Sequence, residues 1–286
     1  MSTSQLACAI GSTESAFVRL KTSGSGRYLI TACKTIPVGA NDLEGRKTAR
    51  SLKKLLSLTE GWKDEALALC FSPDAYFPLN AYFPSNAARK ACAEYCRIEA
   101  VHFLSRPEEY LHDHTAYSGC RNGELLEKHL VLFYRAEPFS TISAKFAERH
   151  PITFCGTPLL PSVHRSRSVE GATALLDLEK SHVVLTVTEN GRLQYFNFRR
   201  VKDRKEAEYF AIHELQSNPQ CRQSAVQASG PLADRAMTSL LEKETLCNLA
   251  APAIPEKVEF AGKESSACRS SAASRAVSTA LMALEN

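Results

Sequence analysis

Residues 173–201 read TALLDLEKSHVVLTVTENGRLQYFNFRRV. Two apolar runs, Thr173–Leu178 and His182–Thr188, lead into Glu189-Asn190-Gly191. Asn-Gly between β-forming runs is among the strongest short-range hairpin signals, because both turn residues adopt positive φ at little cost. Arg192–Val201 supplies a third strand, and Asp203 is placed to cap a helix running to about Gln216. Ala225–Ser229 reads as a buried strand, Gly230-Pro231 as its breaker, and Leu232–Lys243 as the next helix. A strand at Leu246–Ala250 and a last helix over Ser271–Glu285 complete the order β-β-β-α-β followed by α-β-α.

The same pattern opens the chain. Residues 6–37, LACAIGSTESAFVRLKTSGSGRYLITACKTIP, give strands at Leu6–Ile10, Ala16–Lys21 and Tyr28–Pro37, with Ser23–Gly26 as the hairpin turn. Asp42 then reads as the cap of a helix to Ser57, and Ala66–Phe71 as a buried strand. Setting Ala9 against Asp177, a shift of 168 residues (177 − 9), places Ile10 on Leu178, Phe17 on Leu185 and Arg19 on Val187. Such an internal repeat is an architectural signal that outranks any single motif in the chain.

Between the repeats the pattern changes. Ala75–Phe83 is extended, with Pro78 and Pro84 favouring an edge. Helices are expected over Asn86–Phe103, Arg106–Asp113 and Thr141–Arg149, and strands over His129–Tyr134 and Ile152–Cys155. The Pro-, Ser- and Arg-rich stretch from Gly156 to Gly171 reads as a boundary. The expected organisation is α/β: a first lobe over residues 1–72, an inserted small α/β subdomain over 73–168, and a second lobe over 169–286.

With 286 residues, 44% hydrophobic and 23% charged, the chain is an ordinary globular protein, which excludes collagen-like and wholly disordered classes. A net charge of +4 is too small to argue for nucleic acid unless it is concentrated. The concentrations are Arg46–Lys54, Arg165 with Arg167, and Arg199–Lys205. Each reads first as a solvated face, so a nucleic-acid partner is not expected. No run approaches the ~18 apolar residues of a membrane span, and no secretory leader is visible at the N-terminus, so a cytoplasmic location is expected. Ten cysteines are spread along the chain without a CxxC pair, several inside apolar runs, and read as packing thiols. His112-x-His114 with Cys120 is the one metal-like cluster, and its ordinary reading is an exposed loop. No G-x-S-x-G elbow supports a hydrolase.

Two β-β-β-α-β halves with an insertion after the first resemble the actin/Hsp70-like ATPase superfold, whose lobes are duplicated and ribonuclease H-like. Within it the chain is similar to PilM-like type IV pilus assembly proteins and to the cytoplasmic domains of type II secretion proteins. The stretches that carry the resemblance are AIGSTES at 9–15, LDLEKSH at 176–182 with ENGR at 189–192, and ASGPL at 228–232. The resemblance covers nearly the whole chain. In active members each first hairpin clamps phosphate, through Asp-x-Gly-Ser/Thr at the end of a strand. Here Gly11 and Ser12 match but Ala9 stands for the Asp, and Ala16 is the nearest match to an expected basic residue. In the second hairpin Asp177 matches and Ser181 offers a hydroxyl, but Glu179 stands for the Gly. The adenosine-loop glycine pair is reduced to Gly230.

By this resemblance Gly11, Ser12, Asp177, Ser181 and Gly230 are the residues left to surround a nucleotide, with ATP and Mg²⁺ as the only cofactors a residual site would take. A carboxylate at 179 opposes polyphosphate by about 4 kcal/mol per charge pair at ~4 Å and an effective dielectric of 20. The expectation is therefore a non-catalytic scaffold without a cofactor, binding a protein partner. By resemblance that partner is the cytoplasmic tail of a membrane protein in a pilus or secretion machine. The alternative is an ATP-binding protein or weak ATPase of the same superfold.

Overall fold

β1 (Ser4–Ile10) is buried along almost its whole length, as a central strand covered on both faces must be. In the computed structural model, which describes residues 4–24, 26–43, 48–122, 125–261 and 270–286, β1 pairs antiparallel with β2 (Ser15–Thr22) and parallel with β4 (Leu67–Phe71). β3 (Tyr28–Ile36) lies outside β2, β8 (Ile152–Gly156) outside β4, and β14 (Val258–Phe260) outside β3, giving the order β14-β3-β2-β1-β4-β8. The second sheet repeats this plan. Its strands β9 (Thr173–Leu178), β10 (His182–Glu189), β11 (Arg192–Arg200), β12 (Val226–Ser229) and β13 (Leu249–Ala250) run in the order β13-β12-β9-β10-β11.

Residue pairing carries the duplication down to register. Ala9 lies opposite Ala16 and Cys70, and Asp177 lies opposite Val184 and Ser229. Ala16 and Val184 are themselves 168 residues apart, so the shift read from the sequence holds across the whole first hairpin. The crossover helix follows the third strand in both lobes, as α1 (Thr48–Leu58) and α5 (Arg204–Ser217). Asp203 caps α5 by accepting the Glu206 N–H. Asp42 is not a helix cap: it sits in a 3₁₀ turn, Ala40–Leu43, and accepts from the Gly39 N–H. Of the basic cluster read on the first helix, Arg46 and Lys47 lie outside the described residues.

The insertion holds β5 (Phe77–Pro84), α2 (Arg89–Phe103), β6 (Tyr110–Asn122), β7 (Leu126–Arg135) and α3 (Phe139–Ala147). β5, β7 and β6 form an antiparallel ladder that extends the second sheet through one pair, Leu193 with Tyr117. The helix expected over Arg106–Asp113 is not there. A short 3₁₀ turn, Pro107–Glu109, runs into β6, where Asp113 faces one side and His112 and His114 the other. The charged residues at its start hid this period-2 alternation. The supposed boundary at Gly156–Gly171 contains α4 (Leu159–Arg165). Pro158 and Pro161 fall at its cap and first turn, where no intrahelical N–H is lost.

Three elements cross the boundaries drawn from sequence. β8, within 73–168, belongs to the first sheet, as does β14 within 169–286. α8 (Ser271–Glu285) also leaves the second lobe and packs on β1, β2 and β4, through Ala272, Ala273, Ala276 and Ala280, all fully buried. Small side chains let the helix axis approach the sheet closely. Among the described residues no helix is long and apolar enough to cross a bilayer. Cys8, Cys70, Cys92, Cys96, Cys221 and Cys247 are buried free thiols, as packing predicts, and Cys155 is free and exposed. Cys33 departs from the expectation, since it is disulfide-bonded. Even spacing along a chain carries no pairing information.

The second lobe is pinned by Glu214 of α5, which is 1% exposed and accepts from Tyr195 Oη at 2.7 Å, Asn197 Nδ2 at 2.8 Å and Arg199 Nε at 3.0 Å. Burial works against this carboxylate, but the three donors outweigh it and hold its pKa below the ordinary 4.5. A depressed carboxyl adds stability that is present above the unfolded pKa and lost as pH falls through the folded one. Glu214→Gln is expected to lower urea-unfolding stability at pH 7 by about 1.5–3 kcal/mol. The loss shrinks as pH falls from 4.5 through the lower folded pKa, where the wild-type carboxylate also becomes protonated.

Candidate functional site

The first hairpins of the two lobes meet at their turns. The Ser12 hydroxyl donates to Glu179 Oε2 at 2.5 Å. The Ser12 turn is braced by the Gly11 N–H on the Glu14 carbonyl and the Ala40 N–H on the Gly11 carbonyl, both at 2.8 Å. Gly39 passes directly against it, and a β-carbon there would lie 2.2 Å from the Ser12 carbonyl oxygen, so only glycine fits. Glu14 in turn accepts the Ala272 N–H at the start of α8, 3.3 Å away, which ties the hairpin to the last helix.

Arg275 of α8 enters this junction. Its Nη2 donates to Asp177 Oδ1, and to Ser229 Oγ at 3.3 Å. Its Nη1 donates to Ser72 Oγ at 2.6 Å and lies 3.7 Å from Glu179 Oε1. Ser229 also donates to Asp177 Oδ1. The side chain of Arg275 is 10% exposed and that of Glu179 only 4%. One guanidinium therefore joins the end of β12 (Ser229), the residue after β4 (Ser72) and both carboxylates of the second hairpin. Arg275 Nε is buried without a hydrogen-bond partner, and Arg275 also lines a cavity with Arg165, Thr173, Gln227 and Ser278.

The electrostatics are those of a desolvated, mutually satisfied cluster. Burial alone would lower the Arg275 pKa, yet Asp177 and Glu179 hold it above its ordinary value, so the cation is permanent. Burial pushes the Glu179 carboxyl up, and Arg275 draws it back. The neighbouring Cys70 thiol is pushed up to about 12, chiefly by burial, and is no nucleophile at neutral pH. Burial lowers the His182 pKa, and its ring packs against Tyr76 and Phe198 at 5.7 and 5.3 Å. Asp177 and Glu179, the carboxylates best placed to hold a metal, both face Arg275.

Of the residues singled out in the sequence, Gly11, Ser12 and Asp177 gather here; a β-carbon on Gly11 would come within 4.0 Å of Arg275 Nη1. Ser181 turns away, donating to the Asp74 carbonyl at 3.2 Å beside His182 Nδ1. Gly230, at φ +97°, lets the chain turn past β9, where a β-carbon would lie 2.5 Å from the Leu178 carbonyl oxygen. Sequence reasoning missed Arg275, Ser72, Ser229 and Gly39. Arg275 had a signal: it is the one charged residue in the stretch 270–284, SSAASRAVSTALMAL. A buried charge in such a helix needs a partner.

Outside the site, the second basic run is largely paired within its own lobe. Arg204 holds Asp234 at 2.7 and 2.9 Å, Lys202 lies 3.6 Å from Glu206, and Arg199 bonds Glu214. Removing one member of a buried ion cluster leaves uncompensated charge behind. Arg275→Met is accordingly expected to destabilise the protein by about 3–5 kcal/mol in urea unfolding at pH 7, although the volume is nearly kept.

No protein-family model matches the chain, and none of the curated proteins searched matches it. Solved structures do. A chain of the PilM-PilN type IV pilus biogenesis complex superposes with a TM-score of 0.69 at 14% identity, over 99% of both chains. A Bacteroides thetaiotaomicron protein of unknown function with the actin-like ATPase fold superposes with a TM-score of 0.53 at 11% identity, over 86% of this chain and 90% of that one. With the repeated strand order and the paired hairpins, these similarities establish that the chain has the actin-like ATPase fold, in a form similar to PilM.

Proposed function

We propose that this chain is a non-catalytic, protein-binding scaffold on the actin-like fold, in which nucleotide turnover has been lost. The observation that carries the reading is Arg275 between the two hairpins, neutralised by Asp177 and Glu179. Phosphoryl transfer needs open space there for a polyphosphate, its metal and positive partners for the developing charge. In this chain the space holds an arginine whose charge is already spent on two carboxylates. Both carboxylates of the second hairpin, Asp177 and Glu179, already face Arg275, so they do not fit as ligands of a metal-bound nucleotide. An incoming phosphate would also have to displace Arg275 and then face Glu179 at close range.

The binding surface we infer is the insertion. Tyr82, Ile98, Val101, Phe103, Leu111 and Leu125 are exposed large apolar side chains, and all six lie within it. An apolar groove lined by Leu111, Tyr134, Ala144, Ala147 and Ile152 runs where β6, β7 and α3 of the insertion meet β8. Apolar surface concentrated on one subdomain is characteristic of a protein-binding face. The similar PilM chain comes from a complex with PilN. On that analogy the partner we infer is the cytoplasmic tail of a membrane protein in a pilus or secretion machine. The cytoplasmic location belongs to the same proposal and rests on the same analogy.

Thermal unfolding with millimolar Mg-ATP tests the loss of nucleotide binding. A ligand of the native state raises stability by RT ln(1 + [L]/Kd), and no rise is expected. A rise that Asp177→Ala abolishes would overturn the proposal in favour of an ATP-binding protein. For the binding face, Val101→Asp is expected to leave the unfolding midpoint unchanged while losing the protein that co-purifies with wild type from the native host.

A further inference from the structure

The correction at β6 brings together a second set of chemistry-bearing side chains. Residues two apart on a strand share a face, an arrangement that the exposed loop expected from the sequence does not impose. His112 and His114 lie opposite Phe133 and Val131 of β7, and Ala116 of the same face lies opposite His129. α2 covers this face, with Cys92, Cys96 and Ala100 packed against Val131 and Phe133. Cys96 Sγ and one imidazole nitrogen from each of His112 and His114 lie within 4.8 Å of one another.

We propose that Cys96, His112 and His114 form a binding site for a divalent transition-metal ion of the zinc class, with His129 beside its fourth position. One thiolate and two imidazoles are the donors such an ion selects, whereas magnesium and calcium require oxygen ligands. With bonds of about 2.3 Å to sulfur and 2.0–2.1 Å to nitrogen, the donors of a tetrahedral site stand roughly 3.3–3.6 Å apart. Side-chain rotation of about 1 Å closes the observed arrangement onto that geometry.

A second observation points the same way. His129 is 7% exposed, and its Nδ1 is buried without a hydrogen-bond partner. Its ring lies 6.0 Å from that of His114 and 4.8 Å from Phe83, and its Nε2 lies 3.6 Å from Glu127 Oε2. An imidazole held by a carboxylate on one nitrogen and left free on the other is the arrangement of a metal site's flanking histidine. His112, His114 and His129 also line an open cavity that gives an ion a path in, with Arg89 on its rim. That guanidinium disfavours a hard cation held by charge alone and leaves strong covalent donors as the basis of selectivity. The cysteine differs from the one suggested by sequence proximity: Cys96 comes from α2, and the side chain of Cys120 lies outside the described residues.

The test is a titration of the full chain with Co²⁺ alone, followed by Zn²⁺ competition. One equivalent is expected to bind, with thiolate-to-cobalt charge transfer and intense tetrahedral d–d bands, and Zn²⁺ is expected to displace it. Cys96→Ser should lose the charge-transfer band. His114→Ala should weaken binding by more than the roughly 10–100-fold that loss of an outer-shell partner costs. Should Cys96→Ser fail to fold, His112→Gln decides, because His112 is partly exposed: weaker metal binding with an unchanged metal-free unfolding midpoint upholds the site. Absence of saturable binding to wild type, an intact charge-transfer band in folded Cys96→Ser, or unchanged affinity in His112→Gln would overturn it.

Discussion

The ion cluster of Arg275 with Asp177 and Glu179 is the constraint on which the rest of the molecule depends. A guanidinium can be kept out of water only where carboxylates and hydroxyls meet it, and those groups come from elements distant in sequence. Asp177 is the penultimate residue of β9, Glu179 opens its hairpin, Ser229 ends β12 and Ser72 follows β4. Bringing them together requires both sheets in register and α8 drawn back onto the first sheet. The alanines of α8 permit that approach, and Gly39 and Gly230 let the neighbouring chain pass without collision.

This arrangement underlies the proposed loss of nucleotide turnover. Here Ser12 bonds Glu179 directly and the arginine lies behind them, so the lobes are joined by side chains of the chain itself. A buried cluster of this kind favours a fixed relation between lobes over opening and closing. That suits the protein-binding platform proposed for the insertion. The metal site proposed on α2 and β6 lies within the same insertion and would tie these two elements together.

Much of this architecture was legible in the sequence, because hairpins declare themselves locally. Asn190-Gly191 and the 168-residue shift were enough to find both lobes, and the observed pairing of Ala9 with Ala16 and Asp177 with Val184 follows that register. What could not be read were the long-range choices. Nothing local says that β8, β14 and α8 return to the first sheet, since strand order is a tertiary property. β6 was hidden by charged residues at its start, and with it the shared face of His112 and His114. By the resemblance alone Glu179 reads as standing in a glycine position. Only the structure gives it a partner in Arg275, 96 residues away by count (275 − 179) but 3.7 Å in space.

A double-mutant cycle between Arg275 and Asp177 is the most direct test of the central claim. Arg275→Ala, Asp177→Ala and the pair would be compared by urea unfolding at neutral pH. The account predicts a coupling of about 2–3 kcal/mol, with the double variant more stable than the sum of single losses implies. Additivity within about 0.5 kcal/mol would mean that the two groups do not interact, and would contradict it.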